Sequence, residues 1–301
     1  MSLPANHRGA LYMAAAMAGF TANDALVKAV TGDMNTGQIM FVRGLMTTAL
    51  VLAVAHRFAA FVSWRAMLQP ALLLRIAAEI GAAITYISAL GTLPLANTAS
   101  ILQALPLAVT LGAALFLGER VGWRRWLAIV AGFVGVLIVI RPGPEGFTAA
   151  SAYVVASVVF AAIRDLCTRR IDGAVPSLFI TAVTAATITL FGALLVAPMG
   201  GWQPVAAASL LKLAGSSVLL FVGYQCIVLA MRTGEISFIA PFRYTSLFWA
   251  IGIGILVFGE VPDAWMATGV SVIVASGLYT FYRENKRKAD GVAQESVPES
   301  P

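Results

Sequence analysis

Apolar runs long enough to cross a bilayer recur along this chain from Leu11 almost to Phe281, separated only by short polar breaks. A helix needs about 20 apolar residues to cross the hydrocarbon core, so 301 residues leave room for roughly ten crossings joined by short loops. Composition agrees. The chain is 59% hydrophobic and 11% charged, whereas a soluble domain carries about 25% charged residues to cover its surface. No polar stretch is long enough to fold an extramembrane catalytic domain. The expected fold class is an all-α membrane protein of ten transmembrane helices.

The expected spans are 9–30, 37–56, 67–90, 94–117, 124–141, 147–168, 177–197, 207–231, 235–258 and 263–282. Breaks fall at turn chemistry: Gly32-Asp33, Gly91-Thr92, Gly118-Glu119, Pro142-Gly143-Pro144, Asp172-Gly173, Gly200-Gly201 and Pro262-Asp263. The tail 284–301 is polar, ends in Pro-Glu-Ser-Pro, and is expected to be disordered. Ala14, Ala15 and Ala16 resemble a signal-peptide cleavage site, but the apolar run continues past them and further spans follow.

A formal charge of +6 could suggest a nucleic-acid partner; placement argues against one. With a cytoplasmic N-terminus, fourteen Lys and Arg fall inside and only Lys28, Arg141 and Lys212 outside, with Arg43, Arg75 and Arg243 within spans. That bias follows the positive-inside rule and puts both termini in the cytoplasm. The expected partners are the lipid bilayer and a small-molecule substrate, and the expected location is a bacterial inner membrane. Cys167 and Cys226 lie in apolar runs and imply no disulfide framework. His7 and His56 sit at span ends, so no histidine-based metal site and no cofactor are expected.

A shift of 141 residues aligns the two halves without gaps over most of the chain. Tyr12 meets Tyr153, Asp24 meets Asp165, Lys28 meets Arg169, Thr92 meets Thr233, and Gly118-Glu119 meets Gly259-Glu260. Five spans per half is an odd number, so the halves, 1–141 and 147–283, are expected to be inverted repeats. That arrangement is typical of secondary transporters, whose substrate site lies near the midplane between repeats. Both repeats in one chain suit a functional monomer.

The matched segments also resemble a known family. Ala99-Ser100-Ile101-Leu102, Pro106-Leu107, Leu117-Gly118-Glu119-Arg120 and Gly132/Gly135 resemble the EamA repeat of the drug/metabolite transporter superfamily. Ala240-Pro241-Phe242-Arg243-Tyr244, Phe258-Gly259-Glu260-Val261-Pro262-Asp263 and Gly269 resemble it more closely still. The resemblance implies a ten-helix carrier with inverted halves, similar to bacterial exporters of amino acids, aromatic ones among them.

Ionisable groups inside spans need a reason, because each costs about 2.5–3.5 kcal/mol at the bilayer centre by insertion scales. Glu79 is the most central, with Arg75 one turn before it and Tyr86 two turns after, all on one helical face. The shift brings Tyr224 and Gln225 to the equivalent place. Either these residues line a polar, aromatic cavity, or Arg75 and Glu79 neutralise each other as an i,i+4 pair. Pro106 and Pro241 are expected to kink their spans and free the backbone carbonyls near Leu102 and Ser237, with Ser100, Gln103, Arg243 and Tyr244 as nearby polar groups. Arg243 could receive a substrate carboxylate, or snorkel to the interface. Trp249 is the one mid-span tryptophan and completes the candidate substrate set.

Asp24 with Lys28, and Asp165 with Arg169, read as ion-pair anchors, with a proton-coupling role as the alternative for Asp24. Glu79 is the other coupling candidate. Glu119 and Glu260 read as capping groups near the next helix start, and Gly132, Gly135, Gly252 and Gly254 as close-packing positions. The function expected from all this is amino-acid export by a secondary transporter. Multidrug, nucleoside-like or S-adenosylmethionine transport is the alternative. An intramembrane enzyme is remote, because no span carries two close carboxylates or an acid beside a histidine. No Walker-type phosphate-binding motif is present.

Overall fold

In a computed structural model of the chain, residues 4–57, 67–118, 122–141, 148–172, 175–233 and 236–295 are described. Among them there is no strand. The helices are α1 Ala5–Lys28, α2 Thr36–Arg57, α3 Pro70–Leu90, α4 Leu95–Leu102, α5 Leu105–Phe116, α6 Trp123–Ile140 and α7 Ala149–Thr168. They continue with α8 Ser177–Val196, α9 Ala207–Thr233, α10 Ile236–Ile239, α11 Thr245–Phe258 and α12 Ala264–Glu295, a 3₁₀ turn Ala240–Tyr244 joining α10 to α11. Ten segments are long and apolar enough to cross a membrane, α4–α5 counting as one and the 3₁₀ turn with α11 as another.

Local chemistry sets the boundaries. Asn35 caps α2 by accepting the Gln38 N–H at 2.9 Å, and Thr148 caps α7 through the Ser151 N–H at 3.2 Å. Pro70 opens α3 at a position where its missing N–H costs nothing. Gly118 at φ +68° and Gly259 at φ +67° follow the ends of α5 and α11 in the left-handed region that glycine adopts without strain. Both proline-containing spans break: α4 gives way to α5 just before Pro106, and Pro241 lies in the 3₁₀ turn before α11. The last helix does not stop near 282 but runs to Glu295, so residues 284–295, expected to be disordered, are helical. Lys, Arg, Glu and Ala in that stretch are good helix formers.

Long-range packing is dominated by α1 with α9, α2 with α8, α3 with α7, and α6 with α12. Counted as spans, these are 1 with 8, 2 with 7, 3 with 6 and 5 with 10. Exchanging every span for the one five along returns the same set. Glycines let the backbones close. A Cβ on Gly192 of α8 would lie 2.5 Å from the Phe41 backbone nitrogen of α2, and one on Gly135 of α6 would lie 2.9 Å from the Gly269 carbonyl of α12. Gly252 differs from expectation, since nothing lies within 4 Å of its Cβ position and it serves no close contact. Leu127, Val130, Val134 and Leu137 form an exposed apolar stripe along α6, the face such a helix turns to lipid.

Candidate functional site

The spans bring two polar clusters into the interior. In the first, Asp24 of α1 accepts hydrogen bonds from the Tyr86 hydroxyl of α3 at 2.7 Å and from the Asn23 amide at 2.9 Å. The Asn23 carbonyl oxygen in turn accepts from Ser216 of α9 at 2.6 Å and from the Arg43 guanidinium of α2 at 3.4 Å. That amide has only one orientation open to it, because Arg43 can only donate and an ionised Asp24 can only accept.

The second cluster is built on α3 and α7. Glu79 receives Arg164 at 3.2 Å on one oxygen and Arg75 at 3.8 Å on the other. Arg164 also pairs with Asp165 at 2.8 Å, while Arg75 donates to Thr168 at 3.0 Å and to Thr184 of α8 at 2.6 Å. Glu79 is thus doubly neutralised, so the ion-pair reading of Arg75 and Glu79 holds in a larger form than the sequence offered. Arg164, counted by sequence among the cytoplasmic cations, spends its charge on Glu79 instead. It lies a turn inside α7, where a free guanidinium would be costly.

The clusters occupy matching places. Positions 23, 24, 43 and 216 of the first correspond under the 141-residue shift to 164, 165, 184 and 75 of the second. Each acidic position is kept, as Asp24 and Asp165, but the cations differ: Arg43 against Thr184, and Ser216 against Arg75. Between the clusters stands Tyr224 of α9, within electrostatic reach of Glu79, Arg164, Arg75 and Arg43. Tyr224 is nevertheless 50% exposed. Charged groups from α2, α3 and α7 act on it electrostatically, and Phe20 of α1 packs edge-on against its ring at 5.2 Å.

The two broken helices meet here. Gln103, at the α4–α5 break, donates to the Arg243 carbonyl at 3.3 Å and to the Ser246 hydroxyl at 2.5 Å, at the break before α11. Arg243 is exposed and faces Asp165 and Arg164. Gln225 and Trp249 are exposed. Ser100 and Tyr244 are not brought to this surface. Ser100 is 1% exposed and donates to its own helix at Ala96, and Tyr244 is 6% exposed and packs its hydroxyl against Gly277 of α12. Sequence reading passed over Asn23, Arg164 and Ser216; the 141-residue correspondence was the signal that would have found them.

At the end of the bundle formed by the C-termini of α1, α3 and α11, Lys28 corrects a further expectation. It does not pair with Asp24 but with Glu260, at 3.0 Å. It also donates to the Leu90 carbonyl at 3.1 Å and to the Leu93 carbonyl, and its ammonium lies 5.4 Å from the Phe258 ring centroid. The other oxygen of Glu260 accepts the Leu95 N–H at 2.7 Å, capping α4 and not the helix that follows it in sequence. That helix, α12, is capped by Asp263, which accepts the Met266 N–H at 2.8 Å and pairs with Arg141. The Met266 N–H, ahead of Arg141, holds the Asp263 carboxyl below the usual carboxylate range. Glu119 lies outside the described residues. No group of three metal-ligating side chains occurs among those described.

Comparison with known proteins fits this architecture. Residues 7–141 match the EamA-like transporter family. The chain is 30% identical over 195 residues to a riboflavin transporter of Vibrio cholerae, covering 64% of this chain and 65% of that protein. It is 26% identical over 198 residues to an S-adenosylmethionine uptake transporter of Rickettsia bellii, covering 63% and 65% respectively. Both matches span just under two thirds of the relative. A pseudopaline exporter, CntI of Pseudomonas aeruginosa, is 27% identical over 278 residues, 89% of this chain and 94% of that one. A protein of known crystal structure superposes with a TM-score of 0.61 at 18% identity, covering 89% of this chain and 94% of its own, which speaks to fold alone. The chain is a multi-pass membrane protein whose residues 7–141 match the EamA-like transporter family.

Proposed function

We propose that the chain is a secondary transporter that exports amino acids, aromatic and apolar ones included, across a bacterial inner membrane by alternating access. The observation that carries this reading is the polar centre where the two broken helices meet, with Tyr224 half-exposed between two charged clusters. Discontinuous helices crossing near the midplane are the usual setting of a carrier's substrate site. Glu79, Tyr86, Gln103, Tyr224, Gln225, Arg243 and Trp249 surround the substrate in this reading, with Asp24 or Glu79 coupling transport to protons. The halves 1–141 and 147–283 act as inverted repeats, both termini are cytoplasmic, and one chain suffices. The chain moves its substrate without transforming it. The Lys28–Glu260 tie then lies on the outer side and holds that side shut.

Relatives named for riboflavin and S-adenosylmethionine support a second reading, in which a larger metabolite stacks on Tyr224 and Trp249. Reconstitution separates the two. Proteoliposomes would be assayed for uptake of radiolabelled tryptophan, phenylalanine and threonine, with riboflavin and S-adenosylmethionine alongside. Saturable amino-acid uptake, competed by unlabelled amino acids, is the expected result. Uptake of the larger metabolites alone would discard the amino-acid reading and keep transport.

A further inference from the structure

Arg43 and Asp24 share one cluster without pairing. Among the described residues no carboxylate oxygen lies within 4.0 Å of the Arg43 guanidinium, and its one side-chain hydrogen bond is the 3.4 Å contact to Asn23. Asp24 likewise has no Lys or Arg nitrogen within 4.0 Å and is held by two neutral donors, Tyr86 and Asn23. A guanidinium carries five N–H donors, and each carboxylate oxygen keeps a second lone pair after one bond. Both groups therefore retain strong, unspent capacity at a depth where an unspent charge is expensive. Glu79, with an arginine on each oxygen, shows the alternative this fold uses when neutralisation is the purpose.

The spacing has a cause. Asn23 bridges the two, taking Arg43 on its carbonyl oxygen and giving its amide to Asp24, so that cation and anion are fixed side by side but apart. Arg43 of α2 and Tyr86 of α3 are the charged or titratable groups that face Asp24. From α9 comes only the neutral Ser216, through Asn23, and Lys28, one turn along α1, is turned away to Glu260. Arg43 also faces Tyr224, which is half-exposed.

We propose that Arg43 and Asp24 are a receptor for an α-amino carboxylate head, the substrate carboxylate docking on Arg43 and its ammonium on Asp24. The inference rests on the transporter reading but not on free amino acids, since S-adenosylmethionine carries the same head. A planar guanidinium suits bidentate carboxylate binding. Tyr86 and Asn23 fix the Asp24 carboxylate for an incoming ammonium.

The test is competition binding to the purified full-length chain in detergent, using radiolabelled phenylalanine and, separately, radiolabelled S-adenosylmethionine. Phenylalanine amide lacks the carboxylate, N-acetyl-phenylalanine the ammonium, and 5′-methylthioadenosine the whole head. Wild type is expected to bind each of them at least roughly tenfold more weakly than the parent ligand, because a site built for a polar group is left unpaired by an analogue lacking it. Arg43→Gln should erase discrimination against the amide while keeping it against the N-acetyl compound, and Asp24→Asn should do the reverse. Arg43→Lys and Asp24→Glu, checked for monodispersity, should keep the wild-type pattern and guard against misfolding. Binding of S-adenosylmethionine but not phenylalanine, with methylthioadenosine rejected, would remove the amino-acid reading and leave the receptor standing. Unchanged discrimination in both neutral variants would overturn the receptor and leave transport intact. A folded wild type that binds neither labelled ligand would overturn the receptor and the amino-acid reading together, leaving transport of another metabolite.

Discussion

Thr48 and Thr189 stand 141 residues apart in the chain, and their hydroxyls share a hydrogen bond of 3.0 Å. The same offset aligns the two halves of the sequence. Two positions related by a two-fold axis touch each other only where they lie on it, so the α2–α8 contact is placed where the proposed inverted repeat would put its axis. The α6–α12 contact obeys the same rule: Gly132 packs on Ser276 and Gly135 on Ile273, and the shift converts each pair into the other.

Inverted halves make a topological demand. Thr92 and Thr233, equivalent under the shift, should face opposite compartments. With Cys167 and Cys226 replaced by serine, Thr92→Cys should react with an impermeant maleimide in intact cells, and Thr233→Cys only after permeabilisation. Labelling of both from one side would end the inverted-repeat reading.

Lys28 and Glu260 form a largely buried ion pair between the halves, at 3.0 Å. The side chains are 11% and 19% exposed, and Glu260 also caps α4 at Leu95. Removing one partner of a fully buried pair costs about 3–5 kcal/mol, and partial exposure reduces that, so Lys28→Met or Glu260→Gln should cost about 1–3 kcal/mol in detergent unfolding. The exchange Lys28→Glu with Glu260→Lys should recover only part of the loss, because lysine cannot accept the Leu95 N–H. Full recovery would mean that the cap contributes nothing.

Much of this was legible in the sequence because apolar length, glycine and proline act locally. The ten spans, the breaks ahead of Pro106 and α11, and the left-handed ends at Gly118 and Gly259 all follow from residue chemistry within a few positions. What the sequence misassigned were choices of partner. Lys28 has Asp24 one turn away on its own helix, and an i,i+4 rule pairs them. Tertiary packing instead offers Lys28 a carboxylate and two carbonyls, and offers Asp24 a tyrosine and an amide. Glu260 was recognisable as a cap, but the helix it caps lies 165 residues away. Arg164 emerges only when the interiors of both halves are laid over one another.

Glycines that the sequence treats alike should behave oppositely. A Cβ on Gly135 would lie 2.8 Å from the Ile273 side chain and 2.9 Å from the Gly269 carbonyl. Gly135→Val should therefore destabilise by about 1–3 kcal/mol, the range for overpacking. Gly252→Ala meets open space within α11 and should be neutral or stabilising by up to about 1 kcal/mol, since glycine is a poor helix former. Thermal unfolding of both variants in one detergent decides it, and equal losses would contradict the packing at the α6–α12 contact.

If transport is proton-coupled as proposed, one of two carboxylates should carry the coupling. Glu79 and Asp24 were both candidates, and the structure separates them by company. Glu79 is paired with two guanidinium groups, Arg164 and Arg75, so its carboxylate is already engaged. Asp24 has no cation within 4.0 Å among the described residues, and protonation there would relieve an intramembrane charge. A substrate ammonium would need the same carboxylate ionised, so in the proposed receptor proton and substrate would compete for Asp24, the requirement for exchanging one against the other. In proteoliposomes Glu79→Gln should keep uptake that responds to a pH gradient, at reduced rate. Asp24→Asn should lose the response yet still exchange labelled for unlabelled substrate at equal, saturating concentrations that offset its weaker binding, because exchange needs alternating access and not a proton. The opposite result, with gradient dependence lost in Glu79→Gln and kept in Asp24→Asn, would move coupling to the arginine-bound cluster and leave Asp24 a binding group only.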